Sequence, residues 1–174
     1  NPADIESVEV FKQDKNIDVL CIVNGVYPII IEDKTTTVEH SNQLIKYYED
    51  IKNRAYDLDK IIRIYFKTYD QSDYASIKEQ DYEVFNRKDL LQILNKYEID
   101  NDIFNDFRNR MNEIQESVDS YKILPLDKWQ WNSWIGFYMG LQQILKDGSW
   151  GYVANQRGGF LGFWWNFIEK DGIT

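Results

Sequence analysis

The sequence predicts an α/β domain. Two observations carry that expectation. Residues 7–34 hold three short runs rich in β-formers, the last two flanking Asn24-Gly25, and residues 41–57 then switch to helical period before a fourth run at 60–68. The chain of 174 residues is 43% hydrophobic and 28% charged, a composition that supports a packed core and excludes a disordered chain. The expected organisation is one domain over 1–174, with a core at about 8–67 and a helical, aromatic-rich extension at 83–174.

The elements follow in order. "SVEVFKQ" (7–13) alternates and reads as a strand. "IDVLCIVN" and "VYPIIIEDK" read as a hairpin, apolar at nearly every position, which predicts strands covered on both faces. In "SNQLIKYYEDIKNRAYD" (41–57), Leu44, Tyr47, Tyr48, Ile51 and Ala55 recur at helical spacing, with Ser41 as a candidate cap. "KIIRIYFKT" (60–68) reads as a strand able to return parallel to an earlier one through that helix. Residues 69–82 read as a polar loop, and 87–98 and 101–121 as amphipathic helices. The second of these carries the apolar stripe Ile103, Phe104, Phe107, Met111, Ile114 and Val118. A more apolar helix over 128–148 and two strands around a turn at 155–159 complete the chain.

The net charge of −9 argues against a broad nucleic-acid-binding surface, although residues 57–121 carry 15 acids against 9 bases and hold most of the excess. That leaves room for a local basic groove elsewhere. No apolar run is long enough to span a bilayer, and no signal peptide is visible. The single Cys21 lies in an apolar run and reads as a structural thiol, which fits a cytoplasmic setting.

Three charged residues interrupt the hairpin. Asp18 begins one strand, Glu32 and Lys34 end the other, and all three lie at the end away from the turn. Glu32 and Lys34, two apart, share a face. Paired carboxylates suit Mg²⁺ or Mn²⁺, which polarises a phosphodiester and acidifies a bound water, while an ammonium can position that water or stabilise charge on phosphorus. A solvated Asp18 with a surface Glu32–Lys34 pair would have the same spacing. Geometry separates the two readings. A strict two-residue Asn24-Gly25 turn makes paired positions sum to 49 and puts Asp18 and Glu32 on opposite faces; a shared site requires an odd loop or a bulge.

The following helix adds Gln43 and Tyr47, four apart on one face. Asp18, then Glu32-Asp33-Lys34, then Gln43-x-x-x-Tyr47 resembles the PD-(D/E)XK nuclease superfamily. It looks most like the bacterial branch of uncharacterised and defence-associated members, and like the Gln-x-x-x-Tyr pattern of recombination-type exonucleases. The resemblance covers roughly residues 8–67. It implies a restriction-endonuclease-like mixed β-sheet flanked by helices, here with a helical insertion and a Trp-rich C-terminal helix and hairpin. It implies nucleic acid, DNA foremost, as substrate and Mg²⁺ or Mn²⁺ as cofactor. Asp18, Glu32 and the backbone carbonyl of Asp33 would hold the metal, Lys34 would be the catalytic lysine, Gln43 would orient the water or phosphate, and Tyr47 would support the site. The family's further Glu, on a helix before the first strand, has only Glu6 and Glu9 as candidates here. A nuclease-fold module that binds without cutting is the alternative.

His40, the only histidine, could touch a phosphate or simply start the helix. Lys46 and Lys67 read as solvated lysines, and Arg157 as a turn residue able to meet a phosphate. The six tryptophans, Trp134 among them, read mostly as core.

Overall fold

The computed structural model describes residues 4–37, 39, 42–145, 147–156 and 158–166. His40, Ser41 and Arg157 lie outside them. The chain divides into two compact units, residues 1–70 with 74–90, and residues 71–73 with 91–174.

The first unit is a five-stranded mixed sheet flanked by helices. Its strands are β1 (Val8–Asp14), β2 (Ile17–Val23), β3 (Tyr27–Lys34), β4 (Ile62–Lys67) and β5 (Glu83–Asn86), side by side in that order. The first two pairings are antiparallel, and β3–β4 and β4–β5 are parallel. The parallel return of β4 is made through α1 (Gln43–Lys52), as the switch in period predicts. Pro28 is tolerated because it pairs only with β2; pairing with β4 begins at Ile29.

Only one sheet face is fully buried, which corrects the expectation for β2 and β3. Leu20, Ile22, Ile30 and Tyr65 pack against Leu44, Tyr47 and Ile51 of α1, while Val19, Cys21, Ile29 and Ile31 on the other face are half-buried. Burial raises the pKa of the Cys21 thiol, in keeping with an unreactive side chain. The helix is also shorter than predicted. It ends at Lys52, and Ala55 lies beyond it with a left-handed φ of 63°. The 69–82 segment is not all loop: α2 (Ala75–Lys78) buries Ile77, and Tyr82 donates from its hydroxyl to the Leu44 carbonyl at 3.0 Å. At four residues, β5 is too short to show a period.

The helix α3 (Arg87–Leu94) runs across the division of the chain. The second unit continues with α4 (Asp102–Asp119) and α5 (Trp131–Ile144), then the hairpin of β6 (Ser149–Asn155) and β7 (Gly158–Trp164). Asn101 caps α4 by accepting from the Phe104 N–H at 2.9 Å. Gly136 allows α4 and α5 to meet closely, since a Cβ there would run into the carbonyl oxygen of Val118. Of the predicted α4 stripe, Met111, Ile114 and Val118 are buried, but Ile103 is 81% exposed, because the helix is covered only along its C-terminal half. The tryptophans also depart from expectation. Trp150 is buried, Trp129 and Trp134 are half-buried among Tyr121, Phe137 and Tyr138, and Trp131, Trp164 and Trp165 are exposed. Of the exposed three, Trp164 ends a two-stranded ribbon, Trp165 follows it, and Trp131 opens α5.

Candidate active site

The hairpin register decides whether the two carboxylates can meet. Val23 pairs with Tyr27, Cys21 with Ile29 and Val19 with Ile31, so paired positions sum to 50. One step further out, Asp18 faces Glu32, on the same side of the sheet as Leu20, Ile22 and Ile30. The turn reconciles this with its sequence. Asn24 and Gly25 both take left-handed φ, 53° and 67°, and Val26 N–H donates to the Val23 carbonyl at 3.0 Å, as in a two-residue turn. Val26 is then an inserted residue with no partner in the register, and that insertion corrects the parity.

Glu32 is fully buried, at 0% exposure, and neither carboxylate oxygen has a well-formed hydrogen bond among the described residues. Burial first, and then the nearby charge of Asp18, push its pKa up to about 7 against the pull of Lys34. Asp18 is fixed from the backbone, its Oδ2 accepting from the Asp33 N–H at 2.9 Å. Lys34 lies against Glu32 Oε1 as an ion pair and donates to Gln43 Oε1 at 3.2 Å. Gln43 in turn donates from Nε2 to the Tyr47 hydroxyl. Burial alone would lower the Lys34 pKa, but the carboxylates of Glu32 and Asp18 raise it, so the ammonium stays charged. Glu32, Lys34, Gln43 and Tyr47 thus form one continuous polar chain from strand to helix.

The start of α1 is not capped by its N-cap residue, Asn42, whose φ is 55° and whose side chain makes no capping bond. Glu39 substitutes, its Oε1 accepting from the Gln43 N–H at 3.0 Å. The same sheet face carries two further buried groups, Tyr65 opposite Glu32 and Lys67 opposite Lys34. Lys67 is 1% exposed, not solvated as its residue type suggests, and its Nζ donates to the carbonyls of Thr35 (3.0 Å) and Thr37. Burial, reinforced by the charge of Lys34, brings its pKa down to about 8. The signal for this face was present in "KIIRIYFKT", where Arg63, Tyr65 and Lys67 recur at intervals of two.

Glu6 and Glu9 are not part of this constellation. Glu9 pairs with Ile22, four strand residues from Asp18 or roughly 13 Å along β2, and Glu6 donates its N–H to Asn24 at the turn. Among the described residues no cluster of three or more His, Cys, Asp or Glu side chains is disposed to hold a metal.

Against known families, a model of the PD-(D/E)XK nuclease superfamily matches residues 2–123, well over half the chain. The chain belongs to the PD-(D/E)XK nuclease superfamily. The match runs past the hairpin and α1 through α3 and α4, beyond the roughly 60 residues on which the motif alone can be recognised. No curated protein and no solved structure matches the chain. This membership suggests a nuclease-type function and implies nucleic acid as the substrate class, and divalent metals are the usual cofactors of the superfamily. No helix among the described residues is long and apolar enough to cross a membrane.

Proposed function

We propose that the protein is a Mg²⁺- or Mn²⁺-dependent nuclease that hydrolyses DNA phosphodiester bonds in the cytoplasm. The observation that carries this reading is Glu32. A fully buried carboxylate that has the Lys34 ammonium as an ion-pair partner, but no well-formed hydrogen bond among the described residues and a second carboxylate facing it, is only partly compensated. A hard divalent cation is the natural compensation, and two carboxylates are enough for Mg²⁺, which takes its remaining ligands from water and phosphate.

Asp18 and Glu32 would hold the ion, joined by the Asp33 carbonyl. In an antiparallel pair the N–H and C=O of a residue leave on the same edge, and the Asp33 N–H points to Asp18. A bound ion would polarise the phosphodiester and acidify a water beside it. The remaining work belongs to the chain. Lys34, kept cationic by its carboxylate neighbours, stabilises charge on the phosphoryl oxygens and orients the water. Gln43 holds the Lys34 ammonium through Oε1 and is itself held by Tyr47. His40, three residues before Gln43 in the sequence, is a further candidate for phosphate contact.

A second reading, a nuclease-fold module that binds without cutting, is favoured by the absence of a third carboxylate among the described residues. One experiment separates the two. Wild type, Asp18→Ala and Lys34→Ala are incubated with linear and circular DNA and with RNA, in Mg²⁺, Mn²⁺ or EDTA. Cleavage that needs metal and falls at least about 10²-fold in both variants, with folding retained, is the expected result. A Mn²⁺-dependent rise in melting temperature, lost in Asp18→Ala, should accompany it. Wild type that cuts no substrate in either metal would leave the binding module as the better reading.

A further inference from the structure

We propose that Lys67 is a positioning residue for this site, its buried ammonium tying down the connector that leaves β3 and thereby holding Lys34 and the start of α1 in working geometry. The inference rests on the nuclease reading above.

Lys67 has no ion-pair partner among the described residues, which makes its burial unusual. Taking an ammonium out of water costs several kcal/mol, and a Met or Leu would fill the same volume without that penalty. The ammonium is spent on two backbone carbonyls, Thr35 and Thr37, the first and third residues after Lys34. Both threonines are exposed, so water could satisfy those carbonyls. What water could not supply is a fixed path for the chain. Backbone bonds from Thr68 N–H to the Lys34 carbonyl and from Tyr69 N–H to the Thr35 carbonyl, 3.3 Å each, extend the β3–β4 ladder to this point. Lys67 carries the restraint two residues further.

The consequence reaches the site from both ends of the connector. Lys34 ends β3 immediately before it, and Glu39, within it, receives the first N–H of α1 at Gln43. Lys34 and Lys67 are also register partners on one face. Like charges at such a position repel, which directs the Lys34 ammonium away from Lys67 and toward Glu32 and Gln43, its partners in the structure. Lys67 itself contacts neither of them, so it acts through the connector and through Lys34.

The test uses the full chain. Lys67→Met keeps the aliphatic stem and removes donors and charge; Lys67→Gln keeps a donor and removes the charge. Amide hydrogen exchange is followed at Thr36, Thr37 and Gln43, with Leu20 and Ile30 as core controls, alongside steady-state cleavage. Lys67→Met should speed exchange at the connector and at Gln43 by about 10-fold or more while the core controls hold. Its kcat should fall about 10-fold with KM within about twofold, as misplacement of a catalytic group predicts. Lys67→Gln should lie between Lys67→Met and wild type on both measures. Unchanged exchange at Gln43 with wild-type kcat overturns the proposal. So does a uniform rise that includes Leu20 and Ile30, which would make Lys67 a residue of general stability. Should both variants fail to fold, scalar couplings across hydrogen bonds from Lys67 Nζ to the Thr35 and Thr37 carbonyl carbons are read in wild type, and their absence overturns it equally. Wild type that cleaves nothing ends the nuclease reading on its own, while the exchange data still decide whether Lys67 ties the connector.

Discussion

In the first unit Glu32, Lys67 and Arg87 are charged and fully buried, whereas the second unit buries no charged side chain among its described residues and leaves Trp131, Trp164 and Trp165 exposed. The two departures from ordinary burial carry different weight. An indole on the surface forgoes stabilisation that burial would have supplied, but it leaves no group unsatisfied, and single exposed apolar residues are normal. A buried charge has lost its hydration and needs a compensating partner. Arg87 has its partners in Asp70 and the Thr68 carbonyl, at 2.6 Å each, and Lys67 has its two carbonyls. Glu32 has its ion pair with Lys34, but alone of the three makes no well-formed hydrogen bond among the described residues. The comparison therefore points to Glu32 as the position where stability is sacrificed for something the chain alone does not provide.

Glu32→Gln tests that most severely, because activity and stability should move in opposite directions. Cleavage should fall by about 10³-fold or more with the loss of a metal ligand and of the charge that holds Lys34. The metal-free protein should nevertheless become more stable at neutral pH. The Glu32 pKa rises from 4.5 to about 7 on folding. The folded state then binds the proton more tightly than the unfolded state. The penalty is absent below about pH 4.5, grows between 4.5 and 7, and is complete above 7, at up to about 3 kcal/mol. Urea titrations in EDTA should show this decline across pH 5–7.5 in wild type and its loss in Glu32→Gln. A variant that is less stable than wild type at pH 7.5 would break the contrast, since Glu32 would then be a satisfied core residue.

The second unit supplies its own internal comparison. Trp150 is buried and donates from Nε1 to Gln142 at 3.1 Å; Trp164 is half exposed and covers Gly151 and Gly162 on the same ribbon. Trp150→Ala should cost about 3–5 kcal/mol, and Trp164→Ala less than about 1 kcal/mol, both read by chemical denaturation. A Trp164→Ala variant as damaging as Trp150→Ala would show that the exposed indoles are covered by something in solution, and that the two units differ less than their surfaces indicate.

How much of this was legible depended on where the information resides. The hairpin, α1 and the parallel return of β4 are encoded locally, in Asn24-Gly25 and in the change of period, and all three are found, α1 ending about one turn earlier than its apolar spacing suggests. The motif residues Asp18, Glu32, Lys34, Gln43 and Tyr47 converge because strand and helix periods are rigid rulers. Lys67 was misread because residue type predicts exposure; the period of two in "KIIRIYFKT" puts it on one face with Tyr65, and the parallel register with Lys34 shows which face that is. The short β5 shows no period and draws its stability from β4. The tryptophans were misread for the converse reason. Size and hydrophobicity give the tendency to be buried, but not whether an element end, such as the start of α5 or the end of β7, has anything packed against it.

An effect expected on stability and not on activity concerns the turn, and it asks what sets the register on which the site depends. Asn24 does two things. Its φ of 53° lies in the left-handed region, and its side chain accepts from the N–H groups of Glu6 and Ser7 and donates to the Asp4 carbonyl, at 2.8 to 3.1 Å. Asn24→Gly keeps the backbone conformation and removes those three bonds. They are exposed and water replaces them, so the loss should be about 1 kcal/mol. Asn24→Ala adds the left-handed strain of a side chain with a Cβ, about 1 kcal/mol more. Neither variant should alter cleavage or the Mn²⁺-dependent shift in melting temperature. The register is held by the apolar pattern: Leu20, Ile22 and Ile30 must stay on the α1 face, and a one-residue slip would carry all of them out of the core. Val26 absorbs the mismatch between that pattern and the turn. A modest loss of stability with full activity in both variants is the outcome this requires. If Asn24→Gly instead abolished the metal shift while the protein stayed folded, the turn and not the core would be setting the register, and the meeting of Asp18 and Glu32 would rest on the polar side chain at its tip.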